Sequence, residues 1–240
     1  MNFWQQLASE FDIGPKHEAV KDARGHLQNP VPSDWQWLEE ALKDEQNKWF
    51  VAAVFKSYPV PKRLVKPFLQ AAINETNPSF NRQFVEPVIE SFGHRRVNEY
   101  LLDVVERGDD KAIAGGVAAF YRANMKIAFA GEVPKYTLEY ATPESRARVL
   151  ELKDVWDRKR ETYLRVFVFN ENVTVRRQVI PSLNLDEESY SLELKPLVQQ
   201  AIEIARSHPD QYIRHRVEVQ LGNERLLLPI PVRSKEDSEE

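Results

Sequence analysis

Apolar residues recur along most of this chain at the three-to-four spacing of an amphipathic helix, and nowhere with sustained strand alternation. Phe3, Leu7 and Phe11 mark one face of a short helix that Gly14-Pro15 ends, and residues 15–27 read as a second, more polar helix. After the break at Asn29-Pro30-Val31-Pro32, Ser33 and Gln36 have the spacing of a capping box, with Ser33 as N-cap. From residue 35 the pattern resolves into helix pairs: 35–44 with 46–57, 61–75 with 78–92, 94–107 with 109–129, 158–170 with 173–185, and 190–207 with 210–222. The second helix of each pair opens near Gln46, Asn77, Asp109, Asn172 or Asp210, whose side chains can accept from the unpaired amides of a first turn.

The pairs repeat. Lys66-Pro67-Phe68-Leu69-Gln70-Ala71-Ala72-Ile73 returns 129 residues later (195 − 66) as Lys195-Pro196-Leu197-Val198-Gln199-Gln200-Ala201-Ile202. That offset is close to four units of about 32 residues, the signature of a stacked array in which each unit buries its apolar face on its neighbours. The period fails between 130 and 157. Gly131 and Pro134 stop helix continuation there, so an irregular insertion near 130–142 is expected, carrying Tyr136 and Tyr140 as contact residues. Thr142-Pro143 then starts a charged helix toward Trp156; whether residues 143–170 form one helix or two stays open. Leu226-Leu227-Leu228-Pro229-Ile230-Pro231-Val232 reads as an extended strap over the last repeat, and Ser234 to Glu240 as an acidic, disordered tail.

Composition narrows the class. Eight glycines against fifteen prolines argue against a β-rich fold with many tight turns and suit sharply started helices. The absence of cysteine excludes disulfides, thiolate metal sites and cysteine nucleophiles. No run reaches the length of a membrane span and no signal peptide is apparent, so a cytoplasmic location without membrane contact is expected. The net charge of −4 gives no whole-chain basic footprint for nucleic acid. The five histidines show no HExxH spacing, and the only His-Glu pair is His17-Glu18, so no metal and no cofactor is expected. No nucleophile elbow or phosphate loop is present, and no catalytic residue is assigned. Gly115-Gly116 lies in an apolar helical run and points to close helix packing.

The Pro-bearing first helix, the acidic or amide turn residue and the Val-Arg type of second helix resemble the HEAT repeat. Leu194-Lys195-Pro196-Leu197, Asp210 and Ile213-Arg214 carry the likeness best. Asn172-Val173-Thr174-Val175-Arg176-Arg177 carries the turn and second helix, and Asn77 with Arg82 fits loosely. The resemblance covers residues 35–222. It implies an all-α fold, a HEAT-like α-α superhelix of about five hairpins over 33–222, with a helical cap over 1–32 and the strap and tail over 223–240. It also implies a scaffold that binds a protein partner through a concave face of second helices or through a basic edge, rather than an enzyme. Lys62-Arg63, His94-Arg95-Arg96 and Arg158-Lys159-Arg160 fall in register with the repeat. Arg63, Arg95, Arg96, Arg158 and Arg160 are therefore expected along one basic edge, where nucleic acid is the alternative partner. Two further readings follow from likeness alone. Trp156-Asp157-Arg158 resembles the tryptophans and aspartate of HEAT-like DNA glycosylases, and some HEAT-like proteins are accessory subunits of cofactor-modifying complexes.

Overall fold

The computed structural model describes residues 2–132 and 137–222, and among these every regular element is helical. The elements are α1 (Phe3–Ile13), α2 (Lys16–His26), α3 (Pro32–Ala41), α4 (Asn47–Phe55), α5 (Val65–Asn74), α6 (Arg82–Arg107), α7 (Asp110–Ala123), α8 (Pro143–Glu151), α9 (Lys153–Phe169), α10 (Val173–Val179), α11 (Lys195–Ser207) and α12 (Gln211–Gln220). No described helix is long and apolar enough to cross a membrane. The chain divides into two compact units, Met1–Asp157 and Arg158–Glu240. The expected strap and tail, and Tyr136, lie outside the described residues.

In the first unit, α1 buries Trp4, Leu7, Ala8 and Phe11, while Phe3 is largely exposed. The buried face therefore runs through Trp4 and not, as expected, through Phe3, because a stripe at i, i+3, i+4 and i+7 from Trp4 takes in Leu7, Ala8 and Phe11. The entry to α3 also differs from expectation. Pro32 is its first residue, and Asp34, rather than Ser33, closes the turn by accepting from the Val31 amide at 2.8 Å. Asp44 does the corresponding work before α4, accepting from Gln46 N at 3.0 Å and Asn47 N at 2.8 Å. Asn77 turns the chain by accepting from Ser79 N, ahead of a helix that begins only at Arg82. Asp109 caps α7 as expected, through the Ala112 amide at 2.8 Å.

Gly93 divides α6. Its φ of 80° and ψ of 163° break the helix, which suits a residue without a Cβ. The first arm packs on α4, with the rings of Phe84 and Trp49 5.2 Å apart; the second packs on α7, where Gly116 meets Val105. Trp49 lies by Phe80 and Phe84, and Val60 donates to Ser91 Oγ, so α4 and the first arm of α6 run parallel. The described residues of 124–142 hold one isolated antiparallel bridge, Phe129 to Ala141, and a tight turn at Leu138–Tyr140. The charged stretch after Pro143 is two helices, α8 and α9, meeting at Leu152.

In the second unit the repeat is visible residue by residue. Asn172 accepts from Thr174 N and Val175 N, and Asp210 accepts from Ile213 N, each capping a second helix. Four residues beyond each cap, an arginine reaches the carbonyls at the end of the first helix. Arg176 donates to Phe167 O and Val168 O, and Arg214 donates to His208 O and Pro209 O. Buried positions coincide at the same 38-residue offset (210 − 172): Tyr163 with Ala201, Leu164 with Ile202, Phe167 with Ala205, Val175 with Ile213, Val179 with Val217. The Lys-Pro copies are likewise both helical first turns, and Leu69, Ala72 and Ile73 are buried as Val198, Ala201 and Ile202 are.

Candidate binding surfaces

The first unit carries a groove of about 550 Å³ whose floor is α4, with the α1–α2 corner as one wall and the first arm of α6 as the other. Alanines at 52 and 53 keep the floor low, and Phe11 and Pro87 add apolar surface from either side. The floor is held from below. Arg24 of α2 donates to Val54 O at 2.8 Å, to Ala53 O at 3.3 Å and to Lys56 O, taking the carbonyls that the end of α4 leaves unpaired. Ser57 then turns the chain with φ of 62°, a conformation uncommon outside glycine, at the groove's lip.

Charge is distributed unevenly around the groove. Lys16 stands on the α1–α2 wall, its ammonium 5.0 Å from the Phe11 ring centre, and Lys56 follows the end of the floor helix. Arg82, Glu86 and Glu90 line α6 at i, i+4 and i+8, hence on one face. All five side chains are exposed, and none enters an ion pair or a side-chain hydrogen bond with another described residue.

Two other polar clusters in the unit are saturated. Buried Asp34 accepts from Trp4 Nε1 at 2.8 Å and from Val31 N, and bonds His26 Nε2 at 3.0 Å. Burial works to raise its pKa, but the hydrogen bonds from Trp4, Val31 and His26 prevail and hold it below the usual carboxylate value. With His26 also against the Phe3 ring at 4.3 Å, this aspartate–histidine pair ties the first hairpin to α3. The second cluster is Lys48, whose Nζ lies 3.0 Å from Glu75 Oε2 with both side chains nearly excluded from solvent. Among the described residues no group of three or more His, Cys, Asp or Glu could hold a metal ion.

The arginines singled out from sequence have particular partners. Arg63 binds Glu39 at 2.7 Å and lies 5.6 Å from the centre of the Trp35 ring. Arg95 makes a two-pronged pair with Asp154, at 2.8 and 3.0 Å, and also reaches Glu99 and the Glu151 carbonyl. The pair raises the arginine's pKa further and holds Asp154 below the usual carboxylate value, chiefly through that hydrogen bond. Arg96 lies 5.0 Å from the Phe92 ring centre. Arg158 and Arg160 belong to the second unit, where Arg160 donates to Ser189 O at 2.6 Å. Tyr140 sits at the end of the Leu138–Tyr140 turn, about one-third exposed, at 37 %. Trp156 is half-buried, its ring 6.3 Å from Phe120.

Sequence reasoning passed over the groove residues Lys16, Lys56, Glu86 and Glu90. The four-residue spacing of Arg82, Glu86 and Glu90 was available as a signal, but similar rows occur on any solvated helix. Comparison of the chain with models of protein families, with curated proteins and with solved structures finds no match.

Proposed function

We propose that the chain is a non-enzymatic, cytoplasmic scaffold of the HEAT-like α-solenoid type that holds a protein partner against its second helices. The observation that carries this reading is the α4–α6 groove: an apolar floor between two successive second helices, bordered by five charges that form no ion pair among the described residues. The repeat reading draws support from two rungs of the same kind. In each unit a cation on a second helix reaches an acid in the turn of the next hairpin, Lys48 to Glu75 and Arg177 to Asp210. The polyanion alternative has weaker support, because Arg63 and Arg95 already hold carboxylates. The glycosylase variant leans on Trp156, which packs on Phe120 rather than standing open.

The absence of cysteine makes a direct test simple. Ala53→Cys on the groove floor and Lys43→Cys on exposed surface are each labelled with a photo-crosslinker and illuminated in extract of the source cells. A discrete protein adduct from position 53 and none from position 43 is the expected result. Equal adducts from both positions, or a nucleic-acid adduct from position 53, overturn the reading.

A further inference from the structure

The α1–α2 wall carries Lys16 and the α6 wall carries Glu86 and Glu90 beyond Arg82, and that difference in charge specifies an occupant. We propose that it takes an amphipathic partner helix bearing acidic residues along one edge and basic residues along the other. This deepens the scaffold reading and rests on the groove being the binding surface.

Three observations carry it. The floor and the α6 wall are helices, whose backbone amides and carbonyls are bonded internally; Arg24 holds the carbonyls at the floor's end. An extended peptide laid there would leave its own backbone unpaired, whereas a helix satisfies its backbone itself. Next, Ala52 and Ala53 leave room for close approach, and the α6 wall from Arg82 to Glu90 is about 12 Å long, just over two helical turns. Finally, Lys16 lies on the α1–α2 wall, Lys56 closes the end of the floor helix, and Glu86 and Glu90 follow Arg82 on α6 itself. A helix with its apolar face on the alanines would meet Lys16 along one edge and Glu86 and Glu90 along the other, with Lys56 at the end of the floor. A uniformly acidic helix would face Glu86 and Glu90, and a uniformly basic one would face Lys16 and Lys56, each a like-charge contact that works against it.

The probes are three fluorescein-labelled peptides of about 15 residues, bridged so that they are helical when free. They share one apolar face and differ in their edges: one acidic and one basic, both acidic, or both basic. Fluorescence anisotropy with the full chain reads their affinities. The mixed-edge peptide should bind at least about tenfold tighter than either uniform one. Lys16→Glu with Lys56→Glu should turn the preference to the both-basic peptide, and Glu86→Lys with Glu90→Lys should turn it to the both-acidic one. All four positions are exposed, and circular dichroism checks that each variant remains folded. Equal binding of the three peptides that is lost in Ala53→Trp overturns the charge pattern and leaves the groove as a site. Binding of none up to about 1 mM overturns the helix proposal; crosslinking from position 53 then decides the scaffold reading separately.

Discussion

Gly115 and Ile73 meet backbone to backbone: a Cβ on Gly115 would stand 2.0 Å from the Ile73 carbonyl oxygen and 2.9 Å from its carbon. The contact joins α7 to α5 and leaves no room for any side chain.

Gly115→Ala should therefore destabilise the chain, although alanine is the better helix former by about 1 kcal/mol. Forcing two helices apart costs more than this gain; we expect a net loss of about 2 kcal/mol and a fall in midpoint of about 4–8 °C. Gly116→Ala is the control. Its Cβ would press on two side-chain methyls that can shift, Val105 Cγ2 at 3.1 Å and Val104 Cγ1 at 3.5 Å, and would meet the Leu101 carbonyl oxygen at an ordinary 3.8 Å. Its midpoint should stay within about 2 °C of wild type. Thermal melts that place the two variants together would show that the Ile73 contact is not what demands glycine.

The helices and their pairing were legible because both are local. Helical spacing, the caps at Asp109, Asn172 and Asp210, and the break near Gly93 need only neighbouring residues to act. The double glycine also announced close packing. What escaped the sequence was decided between elements. The carboxylates that Arg63 and Arg95 hold, Glu39 of α3 and Asp154 of α9, come from other helices and cannot be read from the spacing of the arginines. Ser33 fits a capping box as well as any serine, yet Asp34 takes the Val31 amide because Trp4 and His26, from two other helices, converge on the same carboxylate. The groove could not be read from its residues, since α1, α2, α4 and α6 must assemble before Lys16 and Glu86 face one cavity.

Asp34 should make acid stability depend on pH in a predictable sense. Its folded pKa lies below the usual carboxylate value. The ionised form therefore stabilises the fold fully above that value, and the contribution is lost as pH falls through the lower folded pKa. Asp34→Asn removes the charge from three hydrogen bonds and should cost about 2 kcal/mol at neutral pH. Denaturant unfolding of both proteins should show this gap shrinking below about pH 4. A gap of constant size down to about pH 2.5 would mean the charge is not what Trp4 and His26 recognise.

Asn98, fully buried on α6 beside Val97 and Leu101, has no hydrogen-bond partner among the described residues at either side-chain amide atom. A buried amide in that state costs about 1–3 kcal/mol. Asn98→Leu keeps a similar volume, is the better helix former and should raise the unfolding free energy by about 1 kcal/mol. A loss of comparable size in urea titrations would instead show that the amide holds an internal water.

Lys48 and Glu75 test whether successive hairpins are coupled through their rung. Burial works to lower the lysine pKa, but the hydrogen bonds it donates to Glu45 and Glu75 outweigh that and hold the ammonium above its usual value. Glu75 also accepts from Asn77 N at 2.8 Å, so one carboxylate fixes both the rung and the turn. Lys48→Met leaves that carboxylate buried without its cation and should cost about 3 kcal/mol or more. Glu75→Gln keeps an acceptor for Asn77 and leaves Lys48 with Glu45, so it should cost less, about 1–2 kcal/mol. In the double variant the surviving amide is neutral, and the penalty of Lys48→Met should largely disappear. A double-mutant cycle in chemical unfolding should thus give a coupling of about 1–3 kcal/mol. Arg177→Ala, which breaks the corresponding but solvent-exposed pair with Asp210, should cost less than about 1 kcal/mol. Additive losses at Lys48 and Glu75 would mean that apolar packing alone holds α4 against the next hairpin.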